Sequence, residues 1–187
     1  MTASDAATAE LTLPDRGILA SSAYAKYLDC FSGEDRIFVS TFAPQTLTFR
    51  QRQYYSRGQA FQIEWQDYGQ PLPPWFDSLM QGFVDLLTLP ENWDSYGAAP
   101  IVPTIINEAL SLMNGLLGPT SPAPRVVPLS SGGLQLEWHR KGMDLEIIFD
   151  RDEAPFFYLR NRVSGEESEH ALPQDRELLR STIGALE

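Results

Sequence analysis

The stretch that most constrains this chain is GGLQLEWHRKGMDLEIIFD, residues 132 to 150, because its apolar side chains recur at every second position on both sides of one turn signal. Successive strand residues point to opposite faces, so this period demands a β-hairpin with one buried face and one wet face. A two-residue turn at Lys141 and Gly142 fixes the register. Paired positions then sum to 283, Leu134 faces Phe149, Leu136 faces Ile147 and Trp138 faces Leu145 on the apolar side. The same register sets Glu137 opposite Glu146 and His139 opposite Asp144 on the other side. A four-residue turn would instead oppose Glu137 and Asp144, so acids gather on the wet face in either case.

The pattern extends both ways. RVVPL before the hairpin and FFYLRNR after it have the same alternation, and turn chemistry stands at Ser131-Gly132 and at Arg151 to Pro155. A four-stranded antiparallel meander is expected. Upstream, RIFVSTF, TLTFRQRQYY and AFQIEW read as short strands, the last two forming an antiparallel hairpin about Gly58. Between these β regions, PWFDSLMQGFVDLL places Trp75, Phe76, Leu79, Phe83, Leu86 and Leu87 at helical spacing. PTIINEALSLMNGLLG does the same with Ile105, Ile106, Ala109, Leu110, Met113, Leu116 and Leu117. Pro103 suits the first helical position and Gly118 a left-handed stop. PQDRELLRSTIGAL supplies Leu178, Leu179, Ile183 and Leu186 for a terminal amphipathic helix. The fold class expected is α+β. The segments are a disordered tail at 1–14 with little to bury, a β-rich part with a helix at 15–88, and a helix, meander and C-terminal helix at 89–187, the last two parts being open to fusion into one domain.

Composition bounds the function. With 43% apolar and 11% aromatic residues among 187, a sizeable core is available. The formal charge of −11 opposes binding to phosphate backbones and favours a partner protein with a basic surface. The start lacks a basic leader and an apolar core, and no run approaches membrane-spanning length, which suggests a cytoplasmic protein. Cys30 is the one cysteine, so no internal disulfide or paired-cysteine zinc motif is expected; it reads as a small buried apolar residue. No cofactor motif is visible.

Three groups of residues are candidates for function. In LPENWDSYGAAP, residues 89 to 100, Asp94 and Ser95 suit capping of nearby amides, Gly97 a positive φ and Trp93 an anchor in the core. Tyr96 and Glu91 would join Asp94 in a catalytic reading, to which no histidine stands at ligand spacing. FRQRQYYSRG interleaves Arg50, Arg52 and Arg57 with Tyr54 and Tyr55, the composition of protein hot spots and of single-strand stacking surfaces alike; net acidity favours protein. Glu137 and Glu146 form the third group, an acidic face for a partner's Arg or Lys. The alternative is a metal-assisted hydrolase using Glu137, Asp144, Glu146 and His139.

LPENWDSYGAAPI with its Pro-led helix, followed by GGLQLEWHRKGMDLEIIFD, resembles a broad set of small bacterial and phage-associated proteins. These carry a Trp-Asp-Gly/Ser-x-Gly-Ala loop and a Leu-Glu-Trp…Asp-Leu-Glu-Ile hairpin. The likeness covers roughly residues 86 to 160. Such proteins usually carry a capping Ser before the helical Pro, where this chain has Val102. The resemblance implies a shared fold and a bacterial source and carries over no catalytic residue. The function expected is a non-enzymatic protein-binding module, antitoxin-like, immunity-like or inhibitory.

Overall fold

The structure, a computed structural model, describes residues 11–12, 48–67, 71–172 and 174–187. The strand expected in RIFVSTF and the buried Cys30 lie outside these residues, as does the tail at 1–14 apart from its residues 11 and 12. Those two form β1 (Leu11–Thr12), which pairs in parallel with β3 (Gln59–Asp67). β3 also pairs antiparallel with β2 (Thr48–Ser56). Arg57 and Gly58 both take positive φ, 47° and 79°, as a tight two-residue hairpin turn requires.

Two helices follow, α1 (Trp75–Leu87) and α2 (Pro103–Leu116). Pro103 occupies the first turn of α2, where its missing N–H costs nothing. Gly118 is not the left-handed stop expected of it. Leu117 ends α2 in an extended conformation, at φ −81° and ψ 128°. The polar atoms near Gly118 are used for tertiary contacts instead: its carbonyl accepts from Trp75 Nε1 at 2.8 Å and its amide donates to Ser121 Oγ at 2.8 Å.

The second sheet runs β4 (Arg125–Pro128), β5 (Leu134–Arg140), β6 (Met143–Phe149), β7 (Phe156–Asn161) and β8 (Glu167–Ala171) in that spatial order, every pair antiparallel. The register of β5 and β6 is the one built on a two-residue turn, with Leu134 on Phe149, Glu137 on Glu146 and His139 on Asp144. Lys141 and Gly142 turn at φ 50° and 76°. The meander has five strands rather than the expected four. Glu167 to Ala171, ESEHA, lacks the alternation that marks a half-buried strand, because as an edge strand it is nearly all exposed. α3 (Arg176–Leu186) closes the chain; Leu179, Ile183 and Leu186 are buried, whereas Leu178 is exposed, contrary to expectation.

One face of the five-stranded sheet, made of Leu134, Leu136, Trp138, Leu145, Ile147, Phe149, Phe157 and Leu159, is buried together with the apolar stripes of the three described helices. α1 joins the two sheets. A Cβ on Gly82 would meet Val126 Cγ2 at 2.6 Å, so only glycine lets the helix lie this close to β4. On the same helix Gln81 Nε2 donates to Tyr55 O, and just past its end Thr88 Oγ1 hydrogen-bonds Ser56 Oγ, both partner residues lying on β2. Tyr54, Phe61 and Ile63 of the small sheet therefore belong to the same continuous core as the C-terminal strands. No described helix is long and apolar enough to cross a membrane.

Candidate interaction face

The face of the five-stranded sheet opposite the core carries three cross-strand rows. Gln135, Ile148, Phe156 and Ala171 make the first. The second is Glu137, Glu146, Tyr158 and Glu169, and the third is His139, Asp144, Arg160 and Glu167. Residues in a row lie about 4.8 Å apart from strand to strand. Ile148, Phe156, Glu137, Glu146 and Tyr158 are all half-buried, although none of them belongs to the core. The arrangement is an apolar strip beside an acidic band.

Cations meet some of these acids. His139 Nδ1 lies 2.8 Å from Asp144 Oδ1 and its Nε2 lies 3.4 Å from Glu137 Oε2. The Asp144 hydrogen bond, reinforced by Glu137 and opposed by partial desolvation, raises the His139 pKa above its ordinary 6.5. Arg162 Nε sits 3.3 Å from the same Asp144 oxygen, Arg160 Nε 3.3 Å from Glu167 Oε1, and Arg125 stands at 4.0 Å from Glu137. Among the described residues no cation lies within ion-pair reach of Glu146 or Glu169, which flank Tyr158 in the second row. Desolvation first, then its hydrogen bond to Glu167, raises the pKa of the Tyr158 hydroxyl.

The other two candidate groups are placed differently. The basic patch is not one surface. Arg50, Arg52 and Tyr54 alternate on the face that turns towards α1, whereas Tyr55 lies on the opposite face and Arg57 in the turn. Tyr54 is buried, and its hydroxyl donates to Asp77 Oδ1 at 2.9 Å. Arg52 pairs with the same Asp77 in the first turn of α1. Burial, followed by the Asp77 hydrogen bond, drives the Tyr54 pKa strongly upward. Tyr54 and Arg52 thus hold helix to sheet, and Tyr55, 64% exposed, is the aromatic of the group left facing solvent.

The loop from Glu91 to Pro100 is a built turn. Asp94 Oδ1 accepts the amides of Tyr96 at 2.7 Å and Ala98 at 3.0 Å, which lowers its pKa. Asn92, at φ 59°, uses Oδ1 to accept the Gly97 amide at 2.7 Å, a role its sequence position did not announce. Ser95 at φ 67° and Gly97 at φ 95° complete the bend. Trp93 does not reach the core: it is half-buried and donates from Nε1 to Ala99 O at 3.3 Å, while Ala98 and Ile101 are the buried residues. Tyr96 is 94% exposed and Glu91 is exposed. Neither has a described contact with Asp94's carboxylate through a side chain, so the acid–base reading of this loop has no assembled pair.

Sequence reasoning found Glu137, Glu146, Asp144 and His139 through the register, but missed Tyr158 and Glu169. Tyr158 was legible in the alternation of FFYLRN; Glu169 was not, because β8 itself was not. Among the described residues no three or more His, Cys, Asp or Glu side chains are disposed to hold a metal ion, the proposed set of Glu137, Asp144, Glu146 and His139 included. No family model, curated protein or solved structure matches this chain.

Proposed function

We propose that the chain is a non-enzymatic protein-binding module that receives a basic partner on the outer face of its five-stranded sheet. The observation that carries this reading is the direct pairing of Glu137 with Glu146 in the middle of the sheet face opposite the core. Like charges opposed across a ladder cost up to about 1 kcal/mol, and a partner's Arg or Lys over the acidic band would reverse the sign. Ile148 and Phe156 alongside supply the apolar contact that such interfaces place next to their charges. The formal charge of −11 steers a basic protein towards the chain.

The motif likeness at residues 86 to 160 supports a bacterial or phage origin, and the lone Cys30 a reducing, cytoplasmic setting. An antitoxin-like, immunity-like or inhibitory role suits an acidic module of this size, by analogy. The hydrolase reading has less support. Asp144 is already engaged by His139 and Arg162, so a metal would have to displace two donors to use it.

The test is comparative capture from the native cell using the wild-type chain and the Glu137→Gln/Glu146→Gln double variant as baits. The reading requires a basic protein that purified wild type binds directly and the double variant loses. Equal binding of that protein by both baits overturns it. In parallel, divalent cations are expected to leave the melting temperature unchanged; a cation-dependent rise that the same double variant abolishes would revive the metal site.

A further inference from the structure

β8 ends the five-stranded sheet, and among the described residues its outer edge has no neighbouring strand. The ladder can be phased from its two ends. The Asn161 amide donates to Glu166 O at 2.9 Å and the Leu172 amide to Pro155 O at 3.2 Å. Hydrogen-bonded pairs alternate along an antiparallel ladder, so Glu166, Ser168, His170 and Leu172 turn their N–H and C=O groups towards β7. Glu167, Glu169 and Ala171 turn theirs outward. The Ala171 carbonyl is taken by the Asp175 amide at 3.1 Å, which leaves the outward backbone groups of Glu167 and Glu169 open to another strand.

A second observation points to what would pair there. Beside this edge, on the inner face, lies an open pocket of 460 Å³ lined by Met143, Leu159, Asn161, Glu166, Glu167 and Ser168. Met143 and Leu159 give it an apolar floor and Glu166 an acidic rim, while the Glu167 carboxylate pairs with Arg160 on the outer face. A long basic side chain fits such a site, its aliphatic stem on the floor and its charged head at the Glu166 carboxylate. A strand added next to β8 would aim the side chain opposite Ser168 to the pocket side, because directly opposed residues share a face. A second copy of this chain is the wrong occupant, since antiparallel self-pairing would set Glu167 and Glu169 against acids of the same strand.

We propose that β8 is a docking edge on which an extended basic segment of a partner protein adds as a further strand, with a Lys or Arg entering the pocket beside Ser168. Main-chain hydrogen bonds to Glu167 and Glu169 supply affinity, and the pocket and the flanking acids supply the preference for a basic sequence. The proposal rests on the protein-binding reading, but uses the edge of the sheet rather than its outer face.

The test titrates an end-blocked Lys-Val repeat peptide, long enough to span β8, against the full chain, with a Glu-Val repeat as the counter-probe. The Lys-Val peptide is expected to bind, the Glu-Val peptide not, and amide exchange at Glu167 and Glu169 to slow on binding. Glu169→Pro removes an outward N–H without touching the bonds to β7, a placement that edge strands tolerate. It should bind about tenfold more weakly than Glu169→Gln, which removes the charge alone. Glu166→Gln should also weaken binding, and Glu137→Gln/Glu146→Gln should not. Equal affinity in folded Glu169→Pro and Glu169→Gln overturns the edge. So does peptide binding that leaves the two amides unprotected, a readout on the wild type that holds even if the proline variant fails to fold. Sensitivity confined to Glu137 and Glu146 sinks the edge but keeps the outer-face reading, and no peptide binding at all sinks the edge while leaving a folded basic partner as the test of the face.

Discussion

Glu137 and Glu146 are directly opposed residues on adjacent central strands of the five-stranded sheet, and among the described residues only the first of them has a cation nearby. Glu137 has His139 at 3.4 Å and the more distant Arg125, and also accepts from Gln135 Nε2 at 3.0 Å. Its partner stands opposite Tyr158 on the other side. The asymmetry gives the pair separable behaviour under mutation.

Glu146→Gln removes the repulsion and no ion pair among the described residues, so the folded chain should gain a few tenths of a kcal/mol, up to about 1. Glu137→Gln removes the same repulsion together with a contact to His139, so its stability change should be nearer zero. Both variants should weaken complex formation with the basic partner by about 1 to 3 kcal/mol, the scale of a charge-assisted hydrogen bond. Chemical denaturation with calorimetric titration reads the two quantities separately. A Glu146→Gln variant that loses stability would show that this face is satisfied without a partner.

Two tryptophans should rank oppositely to what the loop motif suggests. Trp138 is 2% exposed and donates from Nε1 to Pro122 O at 2.8 Å, so Trp138→Ala should cost about 3 to 5 kcal/mol. Trp93, in the quoted loop, is only half-buried with a long 3.3 Å bond to Ala99 O. Its replacement by Ala should cost about 1 to 2 kcal/mol, well short of the toll expected of a core anchor. Urea midpoints of the two variants check the order.

Consecutive glycines fix the junction between β4 and β5. A Cβ on Gly133 would sit 2.2 Å from Phe149 O, and one on Gly132, at φ 93°, would sit 2.7 Å from Pro100 O. The obstructing atoms are backbone, so neither can rotate aside. Gly132→Ala and Gly133→Ala should each cost about 2 to 4 kcal/mol, against near-neutral substitution at Gly184, where nothing lies within 4 Å. Equal melting temperatures for all three variants would contradict the close approach of this turn to the loop and to β6.

The hairpin register was legible because two constraints coincided: a strict period of two and a Lys-Gly turn that accepts positive φ at both positions. The helices were legible for the same reason, since their apolar spacing left one face to bury. What the sequence hid is polar and non-local. β8 has no apolar period to announce it, and Leu178 sits next to the buried Leu179, one residue off the stripe. The basic patch is composed like a surface, but strand alternation divides it: Tyr54 pairs with Phe61 and belongs to the inward face, whereas its neighbour Tyr55 does not. Asp77, which binds both Arg52 and Tyr54 from a helix about 25 residues away, carried no local mark of that role.

Acid should loosen the loops at one end of the sheet first. Asp94 is lowered by its bonds from the Tyr96 and Ala98 amides, and Asp150 by the Asp152 amide and Ser131 Oγ. A carboxyl whose folded pKa is depressed contributes stability that is present above its ordinary value, 3.8, and lost as pH falls through the lower folded value. Stability should therefore decline below about pH 4, and Asp94→Asn and Asp150→Asn should each flatten the decline. Amide exchange at Tyr96, Ala98 and Asp152, followed on acidification, checks whether these loops open before the core.

His139 links the interaction face to pH in the opposite sense. Its pKa is raised chiefly by Asp144 and then by Glu137, so the protonated ring is favoured in the folded state. The sign follows: its contribution to stability is fully present below the ordinary 6.5 and is lost as pH rises through the raised folded value. The ring is substantially exposed, with 45% of its side chain accessible, so solvent screening keeps that contribution small. Its effect on binding should be larger. The imidazolium occupies Asp144 and Glu137, the groups that a partner's Arg or Lys would use, and loss of its proton frees both and makes the face more negative. Affinity for the basic partner should therefore rise as pH increases through the His139 pKa, and by linkage the bound complex should show a lower His139 pKa than the free chain. His139→Gln should abolish this step while leaving overall affinity near that of the high-pH wild type. Titration of the His139 ring by NMR with and without partner measures the shift, and an unchanged or raised pKa in the complex would place the partner's cation elsewhere than over Glu137 and Asp144.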